Sequence, residues 1–270
     1  MSRLPRSVST IGAGNMAEAL LRGLLRAGMQ PEQLRASDPD AARRAYLANE
    51  LGIRVAEDNV EVVADCELAV VAVKPGVVEA ALRDLPAAGG PLYVSIAAGR
   101  AVSSLRAALG SGARIVRAMP NTPALISAGI SAIAEDTGAS EADLELAEAV
   151  LGAIGRVLRV PESQMDAVTG LSGSGPAYVY LFVEALTEAG VREGLSVETA
   201  HELALETALG AARLVRESGE RPAVLRDRVT SPGGTTIAGL AALEQEGFRA
   251  ALLAAVRAAT ARSRELAGDP

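Results

Sequence analysis

The feature that most constrains this chain lies near its start, where Val8-Ser9-Thr10-Ile11 runs into Gly12-Ala13-Gly14-Asn15-Met16-Ala17. Leu20, Leu21 and Leu24 follow at helical spacing, so a strand passes into a helix through the pattern G-x-G-x-x-A. In that context each small residue has a task. Gly12 permits the tight turn, Gly14 lets a pyrophosphate approach the backbone, and Ala17 allows close helix–strand packing. The N–H groups at the helix start then face the anion. A plain glycine turn between a strand and a helix is the competing reading.

The rest of the first 160 residues repeats the alternation of short apolar runs with longer amphipathic segments. Strands are expected at 8–11, 34–37, 68–73, 92–96 and 115–118, with helices at 16–27, 40–51, 77–85 and 102–109. Segments 130–133 and 156–160 add edge strands around a helix near 141–154. Buried-type strands alternating with helices imply an α/β domain of Rossmann type with a mostly parallel sheet. After Pro161 the strand pattern stops, and helices continue with breaks at 170–176, 190–196, 218–222 and 231–234. The expected domains are therefore 1–160, for NAD(P) binding, and an all-α 161–270.

Composition excludes several functions. A net charge of −7 with no long basic run argues against a nucleic-acid binder. Cys66 and His201 cannot make a zinc cluster, and no metal is expected. The lone Cys66 also forms no internal disulfide. Apolar runs are too short for a membrane span, so a soluble cytoplasmic protein is expected. Alanine is abundant, and there are only two Phe and no Trp. Such helices bury little bulky core alone, so interleaved helices across a dimer are expected.

Further candidates follow the strand ends. Asp38 sits where an acid can bind the adenosine ribose, with Arg43 and Arg44 nearby to attract a 2′-phosphate. Asp38-Pro39-Asp40 can equally just cap the next helix. Ala72-Val73-Lys74-Pro75 contains the only lysine of the chain. Loops at Ser95-Ile96-Ala97-Ala98-Gly99 and Met119-Pro120-Asn121-Thr122-Pro123 leave room for a nicotinamide ring, or are ordinary loops. In the helical half, the glycine- and serine-rich segment before Pro176 and the run Ser231-Pro232-Gly233-Gly234-Thr235-Thr236 each precede a helix. Both suit a small anion such as a carboxylate, or serve only as caps. An NAD(P)-dependent oxidoreductase acting on something small and anionic follows. His201, alone in a helical run, reads as structural or solvent-facing.

Taken together, Ala72-Val73-Lys74-Pro75, Met119-Pro120-Asn121-Thr122-Pro123, Gly170-Leu171-Ser172-Gly173-Ser174-Gly175-Pro176-Ala177-Tyr178 and Ser231-Pro232-Gly233-Gly234-Thr235-Thr236 closely resemble pyrroline-5-carboxylate reductases. The resemblance runs from Ile11 to about Leu266. It implies a Rossmann domain and a helical dimerisation domain, with dimers assembling in many members into a decamer of five. It also implies reduction of (S)-1-pyrroline-5-carboxylate to L-proline by NADPH or NADH. Cofactor contacts carry over to Ile11, Gly12, Ala13, Gly14, Asn15, Met16, Asp38, Asn59, Ala72, Val73, Lys74, Pro75, Ile96, Ala97 and Ala98, with Asn121 near the nicotinamide. Substrate contacts carry over to Glu162, Ser231, Gly233, Gly234, Thr235 and Thr236. Thr236 is the catalytic candidate, as orienter or proton donor to the ring nitrogen. Some relatives carry a neutral residue at the position of Asp38 and asparagine at that of Arg228.

Two other readings compete. A β-hydroxyacid-type dehydrogenase also joins a Rossmann domain to helices, but usually needs a lysine in the helical half, which has none here. A non-catalytic NAD(P)-binding module leaves the Ser231-to-Thr236 motif without a role.

Overall fold

The structure is a computed structural model that describes residues 3–268. It divides into two compact units, one of residues up to Ser174 together with those from Arg257 onward, the other Gly175–Val256.

In chain order the first unit contains β1 (Val8–Ile11), α1 (Asn15–Arg26), β2 (Leu34–Ser37), α2 (Ala41–Leu51), β3 (Arg54–Ala56), α3 (Asn59–Val63) and β4 (Leu68–Val71). It continues with α4 (Val78–Leu82), β5 (Leu92–Ser95), α5 (Val102–Leu109), β6 (Arg114–Met119), β7 (Gly129–Ala134), α6 (Glu141–Gly152), β8 (Gly155–Val160) and α7 (Met165–Val168). Eight strands form one sheet in the order β3-β2-β1-β4-β5-β6-β7-β8. Pairing is parallel from β3 to β6, antiparallel between β6 and β7, and parallel again between β7 and β8. Strand β1 has β2 on one side and β4 on the other, so strand order reverses there. Open α/β sheets bind ligands at the carboxyl ends of the strands flanking such a reversal.

The sheet forms because its inner strands are apolar on both faces. Leu68, Ala69, Val70 and Val71 of β4 are all buried, and separate apolar clusters cover the two sides. In α1, Ala17, Leu20, Leu21 and Leu24 face inward, each leucine contributing roughly 2 kcal/mol. Gly23 matters on this face: a Cβ there would come within 2.6 Å of Ile154 Cγ2.

Strand β3 and helix α3 are absent from the sequence expectation. The strand is three residues long with an exposed Arg54, and the helix has five, so neither shows a readable period. Residues 77–85, expected as one helix, contain only the five-residue α4 after a short turn that starts at Pro75.

The second unit is helical: α8 (Gly175–Arg192), α9 (Val197–Ser218), α10 (Pro222–Arg228), α11 (Thr235–Gln245) and the start of α12 (Phe248–Ala267). Ser196 caps α9 by accepting from the Thr199 N–H, and Gly219 ends it in the left-handed conformation. Helices α8 and α9 pack together, and Phe182 meets Phe248 with ring centroids 6.3 Å apart. No helix among the described residues is long and apolar enough to cross a membrane.

Candidate active site

The glycine loop sits at the reversal point. Gly12 has φ +93°, and a Cβ there would lie 2.9 Å from Val73 Cγ1 and 3.0 Å from the Ala72 carbonyl. The residue is needed for its backbone angle and for the approach of the segment after β4. Gly14 is different. It stands at the N-cap of α1 with extended backbone, no side chain caps the helix, and a Cβ would meet nothing within 4 Å. Open space over an uncapped helix N-terminus fits the pyrophosphate of a nicotinamide dinucleotide.

The turn after β2 is fastened to this loop. Asp38 Oδ2 accepts the Ala13 N–H at 2.9 Å, and Oδ1 accepts the Asp40 N–H at 3.0 Å. Asp40, not Asp38, caps α2, its side chain accepting the Ala42 N–H. Asn59 starts α3, where its Oδ1 accepts from Ser37 Oγ at 2.7 Å and its Nδ2 donates to Ala81 O at 2.9 Å.

The segments after β4 and β5 complete this edge. The Ala72 N–H donates to Ile11 O at 2.8 Å, and the Ile96 N–H donates to Val71 O at 3.1 Å. Lys74 is exposed, whereas Ala97 is buried. Arg100 ties the two segments through Pro75 O at 2.9 Å and Glu79 Oε1 at 3.0 Å. After β6, Asn121 Oδ1 accepts the Ile130 N–H at 2.9 Å, which turns its Nδ2 toward Ser172 Oγ, 3.5 Å away. Ser172 belongs to a π-helical turn, Thr169–Gly173, where an irregular loop was expected. A Cβ at Gly173 would meet only the flexible end of Met119, which could move aside.

In the second unit, residues 231–236 form a tight turn into α11. The Gly234 N–H donates to Ser231 O at 3.1 Å, Gly233 has φ +71°, and Gly234 is the N-cap, with no side chain capping the helix. Ser231, Gly233 and Thr235 are exposed, and Thr236 is half-buried. Free N–H groups at the start of an eleven-residue helix suit a carboxylate.

Residues 162–266 match a family model described as "Pyrroline-5-carboxylate reductase dimerisation", and residues 7–99 one described as "NADP oxidoreductase coenzyme F420-dependent". The pyrroline-5-carboxylate reductase of Synechocystis sp. is 48% identical over 95% of this chain and 96% of its own. The chain belongs to the pyrroline-5-carboxylate reductase family. Two solved pyrroline-5-carboxylate reductases share its fold. The Coxiella burnetii structure has a TM-score of 0.88 at 34% identity, covering 98% of this chain and 99% of that one. The Plasmodium falciparum structure, solved with NADP bound, has a TM-score of 0.88 at 31% identity, covering 99% of each.

Within this pyrroline-5-carboxylate reductase fold, Glu162 has company that its sequence surroundings did not announce. Its Oε1 accepts the Val102 N–H at 2.7 Å, capping α5 from sixty residues away, and lies 3.4 Å from Arg117 Nη1. Arg117 is only 5% exposed, and its Nη2 is also 3.4 Å from Asp166 Oδ1. That oxygen accepts the Ser263 hydroxyl at 2.7 Å. A buried guanidinium between two carboxylates avoids the penalty of an unpaired charge. The only signal in the sequence was an arginine inside the apolar run Ile115-Val116-Arg117-Ala118.

Proposed function

We propose that this chain reduces (S)-1-pyrroline-5-carboxylate to L-proline, the last step of proline biosynthesis, as an NAD(P)H-dependent oxidoreductase. Near-full-length identity to a named pyrroline-5-carboxylate reductase carries this reading. When bound, NADH or NADPH supplies the hydride for the C=N carbon. The chain supplies binding, orientation and charge matching.

Ile11, Gly12, Ala13, Gly14, Asn15, Met16 and the start of α1 receive the pyrophosphate, and Asp38 faces the adenosine ribose. Asn59 supports that turn through Ser37. Ala72, Val73, Lys74, Pro75, Ile96, Ala97, Ala98 and Asn121 border the rest of the nucleotide. The backbone at Ser231, Gly233 and Gly234, with Thr235, holds the substrate carboxylate at α11. The Thr236 hydroxyl orients the ring nitrogen; a protonated imine is already electrophilic, so a strong general acid is not required. Glu162 assists at the substrate amine, its carboxylate held by Val102 and Arg117.

In this reading residues 1–160 are the nucleotide domain, and residues 161–270 bind substrate and form a homodimer. Five dimers assemble into a decamer, and the enzyme works in the cytoplasm. Exposed apolar side chains along α8 and α9 support the dimer. Purified protein mixed with pyrroline-5-carboxylate and NADH or NADPH should lose the reduced-nicotinamide absorbance and yield L-proline in equal amount. No imine-dependent loss, or loss without proline, would overturn the reading.

A further inference from the structure

A nucleotide site of this kind must either welcome or reject a phosphate on the adenosine 2′-oxygen, and the turn after β2 makes that choice. Arg43 and Arg44 are the cations a 2′-phosphate would seek there, and both are already engaged. Arg43 Nε donates to the Ala13 carbonyl, its Nη2 donates to Glu18 Oε2 at 2.6 Å, and its guanidinium lies 5.0 Å from the centre of the Tyr46 ring. Burial alone would raise the Glu18 pKa, but hydrogen bonds from Arg43, Arg22 and Tyr46 outweigh it and hold it below the usual value. Glu18 is thus an ionised partner that keeps Arg43 on the inner side of the loop. Arg44 Nη1 donates to the carbonyls of Asp38 at 2.7 Å and Pro39 at 2.9 Å, and its Nη2 reaches Glu57 Oε2 at 3.3 Å.

The group that remains is a carboxylate. Asp38 is fixed at the junction of β2 and the glycine loop by the N–H groups of Ala13 and Asp40, one on each oxygen. A carboxylate oxygen has two acceptor positions, so each can still receive a ribose hydroxyl. The same charge repels a phosphate, and no nearby guanidinium is released to offset it.

We infer that this chain selects NADH over NADPH, with Asp38 rejecting the 2′-phosphate and Glu18 withholding Arg43 from it. The inference rests on the proposed use of a nicotinamide nucleotide but not on the identity of the reduced substrate.

Calorimetric titration of the protein with ADP-ribose and with 2′-phospho-ADP-ribose tests it without catalysis. ADP-ribose should bind at least ~10-fold more tightly. Equal binding, or tighter binding of the phosphorylated probe, would overturn the inference. Glu18→Gln should free Arg43 and improve binding of 2′-phospho-ADP-ribose about threefold or more, with little change for ADP-ribose. No gain would remove Glu18 from the account. Asp38→Asn should narrow the difference between the probes; an unchanged ratio in a variant that melts like the parent would exclude Asp38. If ADP-ribose is preferred but no imine-dependent oxidation of NADH occurs, the selectivity stands and the proposed reaction falls.

Discussion

The two units of this chain bury their apolar residues in different ways. The sheet unit has a complete interior, with leucine, valine and isoleucine side chains closed off on both faces of the strands. Among the described residues of the helical unit, only Ala200 and Ala204 are buried, while Val179, Tyr180, Leu181, Leu203 and Leu209 stand exposed. One unit is finished by its own chain. The other keeps its apolar surface for something else, which accords with its match to a dimerisation family.

Leu181→Glu tests that contrast most severely. Leu181 is 64% exposed within the chain, so a helical unit that stood alone would change by no more than ~0.5 kcal/mol. Burial against a second copy predicts loss of the oligomer by light scattering and a loss of at least ~3 kcal/mol per chain. Gly12→Ala probes the sheet unit. Its positive φ and the closeness of Val73 should cost about 2 kcal/mol and weaken nucleotide binding ~100-fold by calorimetry. Thr236→Ala should lower kcat/KM for the imine about fivefold to tenfold, the worth of one hydrogen bond, with KM for NADH unchanged.

Acid should act on the sheet unit through its carboxylates. Backbone and side-chain hydrogen bonds from Arg6 hold Glu67 below the ordinary value of 4.5 despite burial, and Arg159 does the same for Glu148. Glu18 is also lowered. A carboxyl whose folded pKa lies below its unfolded value adds stability above the unfolded value and loses it as the pH falls through the folded one. Melting temperature should therefore fall as the pH drops below 4.5, and less steeply in Glu18→Gln. The smallest effect is expected at Thr10, a buried residue of β1 whose Oγ1 has no partner among the described residues. Thr10→Val should raise stability by about 1 kcal/mol in denaturant unfolding.

What could be read from the sequence follows the same division. The glycine loop was legible from its G-x-G-x-x-A spacing, and strands β1, β2, β4, β5 and β6 from short apolar-rich segments alternating with longer amphipathic ones. Strand β3 was not, because three residues with Arg54 outward carry no period. The Arg117 cluster was also hidden, since Glu162, Asp166 and Ser263 meet only after the chain has folded. The π-helical turn at Thr169–Gly173 read as a loop, because its glycines and serines are ordinary loop residues. Residues 231–236 were legible as a turn into a helix, but only the resemblance supplied their substrate.

The two uncapped helix starts carry the contrast into the chemistry. The loop before α1 is clamped by Asp38 and Arg43. The turn before α11 has the Gly234–Ser231 backbone bond and mostly exposed residues. Hydrogen–deuterium exchange of the free protein, and of the protein with L-proline and NAD⁺, compares them directly. The backbone of residues 11–13, buried and hydrogen-bonded, should be slow to exchange from the outset, whereas residues 231–236 should exchange quickly and become protected only with L-proline present. Residues 231–236 whose exchange L-proline leaves unchanged would contradict the assignment of the substrate carboxylate to α11.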